Sequence, residues 1–593
     1  MCGISALYRF TQITDSDKEK LGLMNQEMHY RGPDENGVWL DDACGLAQTR
    51  LSIIGLNNGH QPLFNEDGSL VLVCNGEIYN FEDLRILLRS KGHVISTDSD
   101  CEVIIHLYEE FGVKCLDYLR GMFAFVLWNT RKKQLFAARD RVGEKCLYYA
   151  QIQTGVVFSS ELKAILKYYI EKPQLNAHAF AESIRYNYPI ELQQTYIEQI
   201  KRLRAGEYAL VDAGGLELHS YWNRYCLPKY NGSLVDAKTE ILRLMRESVS
   251  QCLRSDVPVA VLLSGGIDSS AVATFAKETG REVHVISAGY KGNFGCDERS
   301  VAKQFAKGLG LVYHEVELNA TDFQHLFDEY TDYIDEPVCD VSSMSQWALY
   351  KKAKELGFTV LLGGLGGDEL FYGYPYSTKV AESISIFREH RDLFPWKHKK
   401  MDYLKFMFRN WKHILYAGYP YKVDDKSIVT WTYDDYIKFA QHGLLEFGNG
   451  NIDFSTIDVH YNLSSNATIR GVYDYMFSRF MTNLCLYLAD RLGMGNSVEI
   501  RSPFVDYKLV EFVSSLPDTI KYKQDQPKWL IKETLKGIVP DYILYAQKRG
   551  FTPPFEFIYQ MNDAYKYQMI ESKHVFFNSM LADRLLVNLL KEK

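Results

Sequence analysis

The chain has 593 residues, 46% of them hydrophobic and 24% charged, with a formal net charge of −8. That length holds several units and a sizeable core, and the acidic balance supplies no basic field for nucleic acid or anionic lipid. The 11 cysteines are scattered without CxxC spacing, which argues against a zinc site and a disulfide framework; no secretory signal and no run of about 18 apolar residues is seen, so the expectation is a cytoplasmic protein without a membrane span.

The first element begins at Met1-Cys2-Gly3. Removal of Met1 would give Cys2 a thiol and a free α-amine together, a nucleophile beside its own base. Residues 70–74 read as an apolar strand ending in a turn at Asn75–Gly76. Residues 82–90 are amphipathic and helical. A second helix is expected over 100–110, with Asp100 at its N-cap. Residues 123–128 and 134–138 read as paired strands. Short strands and helices without βαβ rhythm predict an α+β layered domain over residues 1–215.

Linker-like sequence at 212–215 and 228–233 precedes a change of rhythm. Helices are expected at 237–250, 299–308 and 346–356, and a Gly-rich turn followed by a helix over 264–277. Strands are expected at 257–263, 282–288, 312–316 and 358–362. This alternation predicts a doubly wound parallel α/β sheet. The expected second domain is 216–593, with a nucleotide-binding core at 236–377, an aromatic-rich helical insertion at 378–480 and a helical C-terminal part at 481–593.

Four groups of residues suggest chemistry. In the first domain, Cys2 is followed by Arg50-Leu51-Ser52-Ile53-Ile54, Asn75-Gly76-Glu77 and Asp100. Acyl transfer needs an oxyanion hole, which the Asn75 amide and the Gly76 N–H suit. A free amino acid needs a carboxylate clamp, which Arg50 suits, and an ammonium acceptor, which Glu77 or Asp100 suits. Read singly, these are a turn, a surface arginine and a helix cap; in this order they form an acyl-transfer set. The second group, Leu263-Ser264-Gly265-Gly266-Ile267-Asp268-Ser269-Ser270, delivers a strand through a Ser-Gly-Gly turn into a helix, where backbone N–H groups and the helix dipole favour phosphates. It lacks the GK[ST] of a Walker A loop and matches loops of enzymes that split ATP to AMP and pyrophosphate. Asp268 is placed to hold Mg²⁺. The third is Gly363-Gly364-Leu365-Gly366-Gly367-Asp368-Glu369, with Asp368 a second candidate metal group. The fourth is residues 499–506 together with Lys548-Arg549-Gly550-Phe551, where Lys548 is the candidate cation for the reacting phosphate.

Together these motifs resemble the glutamine-hydrolysing asparagine synthetase family, class B type, over roughly residues 1–375 and 483–555. The resemblance implies an αββα class II (Ntn-type) glutaminase sandwich followed by an ATP-dependent synthetase domain. It implies that Cys2 attacks the glutamine amide, that Asn75 and Gly76 hold the oxyanion, and that Arg50, Leu51, Ser52, Ile53, Ile54, Glu77 and Asp100 bind glutamine. It also implies that Leu263, Ser264, Gly265, Gly266, Asp268, Ser269, Ser270, Ala288, Gly363 and Gly364 bind ATP with Mg²⁺, and that Lys548 is catalytic. Ammonia would then pass through a tunnel to an acyl-adenylate. The expected activity is asparagine synthesis from aspartate, glutamine and ATP.

One departure bears on the acceptor. The family reads SGEGSDE or SGEGADE at the third group, and Leu365 stands at the acid. Amidation of another carboxylate, such as a uronic acid of a polysaccharide precursor, is the same-class alternative. A non-catalytic sensor or scaffold is the different-class one. The small-molecule partners expected are glutamine, ATP and an acceptor carboxylate, with neither nucleic acid nor membrane; the oligomeric state, a homodimer among the options, stays open.

Overall fold

Twelve strands build the first domain in the computed structural model, which describes residues 2–189, 191–224, 227–338, 340–375, 409, 419–423, 428–431, 459–460, 468–523, 526–547, 552–554 and 556–557. In chain order they are β1 (Cys2–Arg9), β2 (Glu35–Leu40), β3 (Cys44–Arg50), β4 (Leu63–Phe64), β5 (Leu70–Ile78), β6 (Gly121–Asn129), β7 (Gln134–Arg139), β8 (Tyr148–Ile152), β9 (Gly155–Ser159), β10 (Lys201–Arg202), β11 (Glu207–Asp212) and β12 (Gly215–Ser220). They form two six-stranded sheets, β10-β8-β9-β1-β3-β2 and β12-β11-β7-β6-β5-β4.

The period-two alternation of β5 explains the layering. Val71 and Val73 pack with Ile4 and Ala6 of β1 in the core between the sheets. Leu70, Leu72 and Cys74 point the other way, into a core shared with Val103, Ile104 and Leu107 of the helix Glu102–Phe111. On the far face of the first sheet, Leu7 and Val157 pack against Met24 and Ile165 of the helices Asp15–Glu27 and Leu162–Tyr169. The result is the expected αββα sandwich. Because both its faces are covered, β5 is buried from end to end.

Three local expectations change. Asn75–Gly76 is no turn: β5 continues to Ile78, and Gly76 pairs with Phe123 of β6. The glycine is demanded by packing, since a Cβ there would lie 2.2 Å from the Met122 carbonyl oxygen. Asp100 does not cap its helix, which begins at Glu102 with Cys101 at the N-cap and no side-chain cap. β12 pairs with β11 along its whole length, so the second of these two sheets runs past the expected boundary at 215/216.

The second unit opens with the helix Leu234–Cys252, whose Ser233 and Asp236 form a reciprocal capping box. Its sheet holds β13 (Val259–Leu262), β14 (His284–Tyr290), β15 (Val312–Leu318) and β16 (Val360–Leu362). Within the expected insertion, the described residues include β17 (Tyr419–Val423), β18 (Ile428–Trp431) and β19 (Val459–His460), an antiparallel sheet. A purely helical insertion is therefore corrected. β20 (Glu499–Arg501) completes the parallel sheet in the order β15-β14-β13-β16-β20. The strand order reverses between β13 and β16, the position where doubly wound sheets open a crevice at their carboxyl edge. No helix among the described residues is long and apolar enough to cross a membrane.

Candidate active site

The glutamine-type residues converge on the start of β1. Cys2 lies opposite Arg50 in the β1–β3 register and is buried. Burial pushes its thiol pKa up, while the Leu51 backbone N–H and the Arg50 charge pull it back. The Cys2 N–H donates to Asn75 Oδ1 at 3.0 Å. With that oxygen engaged, Asn75 Nδ2 is buried with no hydrogen-bond partner among the described residues. A buried amide donor without an acceptor costs about 1–3 kcal/mol, and a developing oxyanion would satisfy it.

Glu77 and Asp100 form a buried acidic pair beside this centre. Burial pushes both carboxyls up, and for Glu77 the neighbouring Asp100 adds to the rise. Asp100 accepts from the Ile78 N–H at 2.6 Å. Such a pair is stabilised by an incoming cation. Arg50 is already occupied: it donates to Glu35 at 3.0 and 3.1 Å and to the carbonyls of Ile54 and Gly55 at 3.1 and 2.8 Å. It braces the 51–55 loop. Ser52 N–H donates to Asp34 at 2.7 Å, and Leu51 and Ile53 are buried.

The second centre lies at the carboxyl edge of the parallel sheet. A cavity of about 600 Å³ is lined by Leu263, Ser264, Gly265, Gly266, Asp268, Ser269, Ala288, Gly363 and Gly364. The two glycine-rich loops touch: a Cβ on Gly364 would lie 2.9 Å from the Ser269 nitrogen, and one on Gly367 2.5 Å from Asp268 Cγ. Ser264 and Ser269 hydroxyls bond at 2.9 Å and shape the first loop. Ser270 does not line the cavity; it is buried in the helix Ile267–Glu278. Glu369 also reaches the cavity, accepting from the Tyr374 hydroxyl at 2.7 Å. Burial and then Asp368 push its carboxyl up to about 7. Leu365 lines the wall where the family motif has its acid. Lys548 lies outside the described residues.

Sequence reading missed Lys528, whose Nζ pairs with Asp268 and, at 2.8 Å, with Asp368. Burial would lower its pKa, but the two carboxylates outweigh that and hold it charged. Its left-handed backbone, φ +60°, precedes the helix Trp529–Leu535 and turns the side chain into the cavity; the sequence signal is only Pro527-Lys528 ahead of a helical stretch. Arg501 lies within the fourth group, with no role assigned to it there. It stands 3.3 Å from Glu77 and accepts through its carbonyl from the Gly363 N–H at 2.8 Å. One residue thus touches both centres.

Comparisons with known proteins agree with this division. The family described as glutamine amidotransferase domain matches residues 1–222, and the family described as asparagine synthase matches residues 240–590. Asparagine synthetase (glutamine-hydrolyzing) 3 of Bacillus subtilis strain 168 is 31% identical, covering 93% of this chain and 87% of its own. Asparagine synthetase (glutamine-hydrolyzing) 1 of the same organism has the same identity and coverage. Amidase chry2 of Gibberella zeae is 29% identical over 94% of this chain and 89% of its own.

Proposed function

Since the chain belongs to the glutamine-hydrolysing asparagine synthetase family and is a glutamine-dependent ligase, we propose that it amidates aspartate with ammonia cut from glutamine at Cys2. The observation that carries the glutamine half is the Asn75 amide, committed at its oxygen to Cys2 and, among the described residues, without a partner at its nitrogen. Once Met1 is removed, the Cys2 amine takes the thiol proton. The thiolate attacks the side-chain amide carbon of glutamine, and Asn75 Nδ2 with the Gly76 N–H holds the oxyanion. Collapse, with the proton passed from the Cys2 ammonium to the departing nitrogen, expels ammonia and leaves a thioester, which water hydrolyses to glutamate. Glu77 and Asp100 receive the glutamine ammonium, and Arg50 would take its carboxylate in exchange for the contact with Glu35.

At the second centre the Gly265–Gly266 turn and the Gly363–Gly364 loop cradle ATP. Asp268 and Asp368 offer hard oxygen donors to one point, which fits Mg²⁺; bound there, the ion would screen phosphate charge. Lys528 and Lys548 supply further positive charge. The acceptor carboxylate attacks the α-phosphorus and pyrophosphate leaves; ammonia then displaces AMP from the acyl-adenylate. Cytoplasmic residence and homodimeric assembly belong to the same proposal.

A second reading has a specific observation behind it. Leu365, together with Leu349 and Tyr350, gives the cavity an apolar wall, which favours a carboxylate other than aspartate. Pyrophosphate release measured with ATP, glutamine and a panel of carboxylates separates the two. Aspartate-dependent release supports the first; release with a uronic acid and none with aspartate replaces it by the second.

A further inference from the structure

Away from both centres, on the outer helical layer of the glutaminase domain, four side chains converge. Glu66 comes from the turn between β4 and β5, His93 from the loop after the helix Phe81–Ser90, and His106 and Glu109 from the helix Glu102–Phe111. One ligand atom from each lies within 4.8 Å of every other. We propose that this His₂Glu₂ cluster is a structural divalent transition-metal site, of zinc type, that ties the β4–β5 turn to the helical layer.

The distances suit the ion. Tetrahedral zinc with bonds of about 2.0–2.2 Å places ligand atoms about 3.3–3.6 Å apart. His106 Nδ1 is 3.4 Å from Glu66 Oε2, and His93 Nδ1 is 3.5 Å from Glu66 Oε1 and 3.9 Å from Glu109 Oε2. Glu66 Oε1 also accepts from the Val94 N–H at 2.9 Å and Glu109 Oε2 from Asn65 Nδ2 at 3.4 Å; both side chains are exposed, and small rotations of their carboxylates would close the wider pairs. The two rings stand 5.0 Å apart between centroids.

Two further observations separate this cluster from an ordinary surface ion-pair group. His106 is fully buried, and its Nδ1 makes no hydrogen bond among the described residues. It faces Glu66 without hydrogen-bond geometry, as an atom does when both aim at a third point. Moreover, each ring turns its other nitrogen to a carboxylate outside the cluster. His106 Nε2 lies 3.5 Å from Glu102 Oε1, and His93 Nε2 lies 3.2 Å from Glu110 Oε1. A carboxylate behind each imidazole fixes the tautomer that leaves Nδ1 a lone pair for the metal, the usual outer arrangement of histidine ligands. Glu102 and Glu110 are themselves held, by the Ser96 and Thr97 N–H groups at 2.6 and 2.7 Å and by Lys91 at 2.8 Å. Cysteine spacing argued against zinc, but this donor set uses no thiol and comes from three separate segments.

The test is elemental analysis of untagged full-length protein purified without chelator from zinc-supplemented medium. About one zinc per chain is expected, with a lower melting temperature after chelation that zinc alone restores. His93→Ala/His106→Ala should lose the metal and its thermal response. Glu110→Gln, which touches no metal, should weaken zinc binding about 10–100-fold with the fold intact. Cobalt(II) should give the intense visible bands of tetrahedral coordination. Zinc binding that is absent at micromolar metal, or equal in the parent and in Glu110→Gln and His93→Ala/His106→Ala, would overturn the proposal and leave a plain hydrogen-bonded histidine–carboxylate cluster.

Discussion

In the glutamine site the amide of Asn75 is divided between two tasks. Its oxygen receives the Cys2 N–H at 3.0 Å, and its nitrogen is buried without a hydrogen-bond partner among the described residues. Asn75→Ala should therefore lower kcat for glutamine hydrolysis about 10²–10³-fold with little change in KM, because the lost interaction forms only as charge develops. An equal rise in KM with kcat unchanged would make Asn75 a ground-state binding residue. This role was legible in the sequence, but its local structure was not. Asn-Gly reads as a turn wherever apolar residues precede it, and only the pressure of Met122 against Gly76 shows why a glycine is needed within a strand. Asp100 misled for a similar reason: an aspartate before a helix suits a cap, yet its carboxylate reaches the Ile78 N–H instead.

At the scale of elements, two glycine-rich loops meet at the carboxyl edge of β13 and β16, and Lys528 is the bolt between them. Lys528→Met would leave Asp268 and Asp368 without their shared cation. ATP–pyrophosphate exchange should fall about 10²-fold while glutamine hydrolysis persists; unchanged exchange would reduce Lys528 to a packing role. The strands of this sheet were legible because buried parallel strands read as short apolar runs between helices. β20 was not, since its Glu499-Ile500-Arg501 carries two charges, each buried and paired with the other. Lys528 was not legible either, as one lysine among many until a left-handed backbone aims it.

At the scale of the whole molecule, the two units are joined by buried charges. Arg491 pairs with Asp335 at 2.7 Å and with Glu161 at 2.6 Å, and Arg31 pairs with Glu161 at 3.2 Å and Asp490 at 2.9 Å. Arg31 also donates to the Cys2 carbonyl at 3.1 Å, so the interface reaches the nucleophile. Arg491→Met leaves Asp335 buried without its cation, while Glu161 keeps Arg31, and should cost about 3–5 kcal/mol, read as a lower denaturation midpoint; an unchanged midpoint would show that the network adds nothing. No periodicity announces such pairings, because their partners lie far apart in the chain. The central claim is that Cys2 releases the ammonia which the second centre consumes. It is tested most directly by measuring AMP formation in Cys2→Ala with glutamine and, separately, with ammonium as nitrogen donor. Loss of glutamine-supported synthesis with ammonium-supported synthesis retained is the predicted result; glutamine-supported synthesis that survives the substitution would contradict it.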